Sequence, residues 1–336
     1  MGAFSPSLEK LRSAIDDELA EFCDERKSDV PESADLIDEI LRLLEAGGKR
    51  LRPAFCYWGF RASGALHEPA IVRAASSLEL LHTFAIVHDD IMDDADERRG
   101  IPTPHVVHGL GFALLVGDLA LVLADALLLG AGFAADVLMS AFSAYSVMRQ
   151  EVIAGQQLDL EYSSRSNITE DEARRVALLK SGRYSIEKPL VIGGRLANAP
   201  GSFIRGLSRF GDPLGEAFQL RDDLLGTFGE RASVGKPVDS DVREGKRNLL
   251  YASAARGLRG ADREFFVRRW GGDDLKEEEI ERLKELIEES GARRATEELL
   301  ARASESAAAA LRALPVDAEA RAALDELARL AVERDV

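Results

Sequence analysis

Two pairs of adjacent aspartates, Asp89–Asp90 and Asp222–Asp223, each stand near the end of a long apolar stretch with helical spacing, about 130 residues apart. Carboxylates crowded in this way repel one another and take up protons unless a cation neutralises them. Helices packed in a bundle can bring two such ends to opposite walls of one central cavity. The expected fold is therefore all-α, a single large helical bundle around a cavity. Few segments show the alternation or β-branched clustering of strands.

The apolar periodicity predicts helices over Pro6–Arg26, Asp35–Ala46, Pro53–Ser63, Pro69–Asp94, Leu110–Leu129, Ala134–Tyr162, Thr169–Lys180, Tyr184–Ala197 and Phe203–Phe228. Pro213, following Gly211 and Asp212, is expected to kink or restart the helix that carries Asp222. No Gly/Ser-rich linker and no fixed-period repeat divides the chain. One domain over residues 1–336 is expected, with a motif-bearing core over about 35–255 and peripheral helices over about 271–336.

The chain has 336 residues and a formal charge of −16, which argues against nucleic acid as a partner, since that needs a basic surface. Much of the surplus acid lies in Asp273–Glu289, whose charges fall at helical spacing and read as a solvated helix face. The start, MGAFSPSLEK, has neither a secretory pattern nor the Ser or Thr that N-myristoylation requires. No uninterrupted apolar run approaches the roughly 20 residues of a membrane span. Cys23 and Cys56 give no disulfide framework. A cytoplasmic protein without an integral membrane segment is expected.

In HDDIMDDADERRG, His88 to Gly100, five aspartates occur within eight positions and two arginines follow. A helix turns about 100° per residue, so Asp89 and Asp93 share a face and Asp90 flanks them. His82, seven residues earlier, falls on the same stripe; His88 is turned away and is not assigned a role. Oxygen ligands of this kind suit Mg²⁺, which commonly shares them with substrate phosphates. Arg98 and Arg99 suit diphosphate oxygens, which guanidinium groups bind through parallel hydrogen bonds.

FQLRDDLLG, Phe218 to Gly226, supplies the second acidic pair, with Gln219 one turn before Asp223 and on the face of Asp222. Near the start stands GGKRLRP, Gly47 to Pro53, in which Lys49 and Arg52 are three apart, a spacing that a helical start would align. Taken with RRG, GKP and EGKR, these motifs run in order from about residue 40 to 255 and resemble those of the trans-isoprenyl diphosphate synthases, or polyprenyl synthetases.

The resemblance implies two or three Mg²⁺ ions held by Asp89, Asp93 and Asp222, with Asp90 and Asp223 in support. It implies that Lys49, Arg52, His82 and Arg99 bind the diphosphate of isopentenyl diphosphate. Arg98, Lys180, Lys236 and Lys246 would bind the allylic diphosphate, with Gln219 and with Ser181 where the family often has Thr. Members are usually homodimers. In the second motif Gly226 stands where the familiar pattern has a third aspartate, which leaves that position to a water-mediated contact or to none. Phe84 and Ala85, five and four residues before Asp89, are where product length is expected to be set. Ala85 leaves the tunnel open, and an aromatic at position 84 with an uninterrupted DDIMD resembles the geranylgeranyl (C20) branch, with farnesyl (C15) the alternative.

Other readings fit less well. A terpene cyclase of the same helical class has no need of GGKRLRP, which serves a second diphosphate. A non-catalytic partner subunit is expected to lose metal ligands, whereas both acidic pairs are intact. An acidic Ca²⁺ module lacks its D-x-[DN]-x-[DN]-G loop.

Overall fold

The structure is a computed structural model that describes residues 5–229, 239–272 and 274–333. At its centre lies α4 (Pro69–Met92), which begins on a proline and is apolar on nearly every side. A helix of that kind must be surrounded. α4 is enclosed by α1 (Pro6–Asp29), α2 (Ala34–Glu45), α3 (Leu51–Ala62) and α6 (Leu110–Leu129), the last lying along it. The α4 helix stops at the first motif: Asp93 caps it and Asp94 takes a left-handed conformation with φ 51°, the usual way a helix ends.

The expected helices are present among the described residues, with α5 (Pro104–His108) added before α6. One small departure from an all-α chain follows the acidic motif. Glu97–Arg98 (β1) and Ile101–Pro102 (β2) pair antiparallel. The turn between them, Arg99 and Gly100, has φ of 55° and 78°. Two consecutive positive φ angles mark a type I′ hairpin turn, and a non-glycine residue there is held at a local cost of roughly 1 kcal/mol or more.

Two expected restarts do not occur. α10 (Gly201–Phe228) runs unbroken through Pro213. The break expected between Lys180 and Tyr184 is replaced by a wide-turn π-helical stretch, Leu178–Glu187, joining α8 (Glu170–Ala177) directly to α9 (Lys188–Leu196). Glycine at 182 weakens a helix intrinsically, but it sits where the backbone of α10 crosses: a Cβ on Gly182 would lie 2.9 Å from the Gly215 carbonyl oxygen. Such π segments recur at functional sites, and this one carries Lys180, Ser181 and Tyr184. On its other side α7 (Ala135–Ser163) touches it at Gly155, where a Cβ would lie 2.5 Å from the Lys180 nitrogen.

The C-terminal third divides between two cores. α11 (Ser240–Arg243), α12 (Leu249–Gly257), α13 (Gly260–Arg269) and α14 (Glu277–Glu289) surround a satellite cluster in which Tyr251, Phe266 and Trp270 pack ring against ring. α15 (Ala292–Ala313) and α16 (Ala318–Val332) are not peripheral as expected; α15 lies along α10, α16 packs on α3, and Leu311, Leu324 and Leu327 join the main core.

By length and composition α4 and α6 are each apolar enough to cross a membrane, although charged residues interrupt both. α4 is mostly buried within the chain, whereas less than half of the apolar stretch of α6 is. Leu110, Leu114, Leu115, Val122 and Leu129 of α6 are exposed, as are Met139, Val147 and Ile153 of α7.

Candidate active site

The ends of α4, α7 and α10, the wide-turn segment and the segment 240–248 surround one cavity of about 750 Å³. Its first acidic wall is the last turn of α4. Asp89 is ion-paired with Lys180 Nζ at 2.9 Å, and the same ammonium donates to Asp159 of α7 at 2.6 Å. Asp93 lies 3.6 Å from Lys246 Nζ, and one of its buried oxygens has no hydrogen-bond partner. Asp90 faces away from the cavity; it is 1% exposed and accepts Arg98 Nε at 2.7 Å. Arg98, one strand beyond, is thereby held beside Asp89 at 3.5 Å and lines the cavity.

The opposite wall is α10, where Asp222, Asp223 and Gln219 all line the cavity. Gln219 donates to Asp223 at 2.8 Å. Burial, and the neighbouring charges of Asp241 and Asp222, push the Asp223 carboxyl up to about 8. At Asp89 burial works in the same direction, but Lys180, Lys246 and Arg98 outweigh it and hold the carboxyl below the usual range. Asp93 is raised, by burial first and then by Asp89. Burial also works against the charge on Lys180 and Lys246, yet the surrounding carboxylates keep both ammonium groups firmly protonated.

A separate basic and aromatic group occupies the side of the cavity toward α3. Arg52 donates to Ser185 Oγ at 2.8 Å and lies over the Tyr184 ring, 4.5 Å from its centroid. The Tyr184 hydroxyl is 3.4 Å from His82 Nδ1. Burial and the nearby Arg52, Arg99 and Arg98 push the His82 pKa well below its usual value, so the ring is neutral. Arg99 reaches the Gly47 carbonyl, and a Cβ on Gly48 would press on Arg50, 2.9 Å from its Nη1, and touch the Arg99 guanidinium at 3.4 Å.

Of the expected residues, Asp89, Asp222, Asp223, Lys180, Ser181 and Gln219 line this cavity. So do Arg52, His82, Arg98, Arg99 and Lys246, and Phe84 and Ala85 stand one turn below Asp89. Asp90, turned onto Arg98, and Asp93, at the cap of α4, are not among the residues that line it, and Lys49 does not join them either. Arg50, with φ 50°, turns the chain before the first residue of α3, so Lys49 and Arg52 share no helix face. Lys49 instead donates to the Leu330 carbonyl of α16 at 3.2 Å. Lys236 lies outside the described residues.

Sequence reasoning missed Asp159, Tyr184, Asp241 and Asn248, all of which line the cavity. Asp159 and Tyr184 sit on helices outside the acidic and glycine-rich motifs, so nothing in their local sequence singles them out. Asp241 stands five residues before Lys246, and Asn248 donates to it at 3.0 Å. His88, set aside as turned from the acidic stripe, also lines the cavity.

The donor set fits a hard divalent ion. Asp89, Asp222 and Asp223 line one cavity, and the buried Oδ2 of Asp93, which makes no hydrogen bond and lies 3.6 Å from Lys246 Nζ, is the kind of group that a cation satisfies.

The polyprenyl synthetase family profile matches residues 34–288. The chain belongs to that family. It is 33% identical to the geranylgeranyl diphosphate synthase of Sulfolobus acidocaldarius over 83% of each chain. It is 37% identical to the (2E,6E)-farnesyl diphosphate synthase of Mycobacterium tuberculosis over 74% of this chain and 68% of that one. Among solved structures, a geranylgeranyl pyrophosphate synthase from Corynebacterium glutamicum, complexed with isoprenyl diphosphate and magnesium, superposes with a TM-score of 0.92 at 32% identity, covering 97% of this chain and 99% of that one. The protein is accordingly a prenyltransferase of the trans-isoprenyl diphosphate synthase class.

Proposed function

We propose that this protein condenses isopentenyl diphosphate with an allylic diphosphate, in the presence of Mg²⁺, to make geranylgeranyl diphosphate. The observation that carries the reading is the division of one cavity into two kinds of charge: facing carboxylates with Lys180, Lys246 and Arg98 on one side, and Arg52, His82 and Arg99 on the other. Two diphosphates need two such sites, and a terpene cyclase needs only one.

Two or three Mg²⁺ ions, held by Asp89, Asp93 and Asp222, would supply Lewis-acid stabilisation to the leaving diphosphate. Lys180, Lys246 and Arg98, now on carboxylates, clamp the phosphate oxygens of the allylic substrate, with Lys236, Gln219 and Ser181 beside them. These groups stabilise charge that develops as the allylic C–O bond breaks. Arg52 and Arg99, with the neutral His82, orient isopentenyl diphosphate so that its double bond attacks the allylic carbon. A carbon–carbon bond forms, and the proton released passes to the departing diphosphate, which explains why no dedicated side-chain base is needed. The apolar lower cavity keeps water from the cation.

Ala85 beside the tunnel supports a C20 product, and Phe84 alone on the other side supports C15 as the nearest alternative. The exposed apolar residues of α6 and α7 support a homodimer, with the chain a single domain in the cytoplasm. Charged substitution of Leu115 and Val122 should yield a monomer in size-exclusion chromatography with light scattering. The function itself is tested by product analysis with Mg²⁺, isopentenyl diphosphate and C5, C10 or C15 starters. C20 from each starter is expected; release of C15 as the end product reassigns the length, and absence of any elongation overturns the reading.

A further inference from the structure

α6 carries Gly117 where it passes the end of α4, and the His88 side chain fills the notch that this glycine leaves. A Cβ at position 117 would lie 2.3 Å from His88 Nε2 and 2.4 Å from Cδ2, far inside the 3.5–4 Å at which such atoms attract. The ring is further fixed by the Leu114 carbonyl, 3.4 Å from Nε2, and by Asp118 at 3.7 Å. On its other flank it meets Phe84 edge to face, ring centroids 4.8 Å apart at 67°. Both His88 and Phe84 line the cavity below Asp89.

We propose that the Gly117 notch is a determinant of product length: by drawing His88 back against α6, it sets the width of the tunnel through which the growing chain passes Phe84. The inference rests on the synthase reading above. The backbone of α6 lies behind the ring and Phe84 flanks it, so the cavity is the open direction of retreat. Any side chain at 117 therefore drives an imidazole, and the Phe84 ring packed on it, into the path of the isoprenoid tail. His88 thus acts on chain length through its bulk and not through its basicity, and Gly117 acts through His88.

The test is the C20:C15 product ratio of the full-length protein with isopentenyl diphosphate and a C10 starter, beside the rate of the first condensation from a C5 starter. Gly117→Ala should lower the C20:C15 ratio about tenfold, the discrimination that one methylene makes in an apolar pocket, with a smaller effect on the first condensation from the C5 starter. His88→Ala should raise the ratio or extend the product beyond C20. The double variant should behave like His88→Ala, because the added methyl then has no ring to displace. An unchanged ratio in folded Gly117→Ala, or an equal drop in the double variant, overturns the proposal. If Gly117→Ala does not fold, an unchanged product in His88→Ala overturns it. Failure of the wild-type protein to elongate any starter defeats the synthase reading and the inference with it, whereas failure of the inference alone leaves wild-type elongation in place.

Discussion

The carboxylate of Asp241 occupies the space that a side chain at position 226 would need. A Cβ on Gly226 would lie 2.5 Å from both Cγ and Oδ1 of Asp241. The second acidic motif ends in a glycine where the Asp241 carboxylate of α11 leaves no room for a side chain, and Asn248 donates to that carboxylate. Asp241→Asn should raise the Mg²⁺ concentration for half-maximal activity by roughly ten- to hundredfold, the usual effect of removing a supporting group at a metal site. Gly226→Asp should lower activity instead of completing the motif, since two carboxylates cannot share that space. A Mg²⁺ titration of initial rates on both variants decides this.

Arg50 is 5% exposed and bridges Glu79 at 2.8 Å and Asp16 at 2.7 Å, tying α4 and α1 to the glycine-rich turn. Removing one partner of a buried ion pair strands the other. Glu79→Ala should cost about 3 kcal/mol or more, read as a lowered denaturation midpoint with an unchanged slope. Asp16, nearly half exposed, should matter much less when replaced by Ala.

Arg52 stands on the side of the cavity assigned to isopentenyl diphosphate, away from the acidic walls. A charged hydrogen bond contributes about 1.5–3 kcal/mol, so Arg52→Ala should raise KM for isopentenyl diphosphate by roughly ten- to hundredfold. KM for the allylic substrate should hold. Lys180→Ala should show the reverse pattern in steady-state kinetics; equal effects on both substrates would count against two separate sites.

His82 carries a pH dependence whose sign is determined by burial and by the arginines around it. Its folded-state pKa is pushed well below the ordinary value near 6.5. Between those two values the unfolded chain binds the extra proton, so stability rises with pH across the window. The contribution is complete above the unfolded-state pKa and is lost as pH falls toward the folded one. Chemical denaturation at a series of pH values from 7 downward should show this slope, and His82→Gln should flatten it.

Much of the site was legible because its chemistry is local. Asp89 and Asp93 are one helical turn apart, and the spacing alone predicts a shared face. Arg98 and Arg99 follow directly, although the hairpin that presents them left only Gly100 as a signal. Lys49 misled for an equally local reason: three-residue spacing implies alignment only if the helix has begun, and the left-handed Arg50 delays it. Asp159, Tyr184 and Asp241 belong to no paired or repeated motif, and only their approach across the cavity marks them.

By itself the sequence determined the helical class, the two acidic motifs and the family, since each depends on residue types at short spacings that backbone geometry converts directly into faces and ends. The tertiary structure decided what passes between helices: that Lys180 neutralises Asp89, that the Asp241 carboxylate fills the space beside Gly226, that α15 and α16 belong to the main core, and that His88 rests on Gly117. Those relationships join residues 15 or more positions apart, and they exist only because close packing brings particular backbones within a few ångströms of one another.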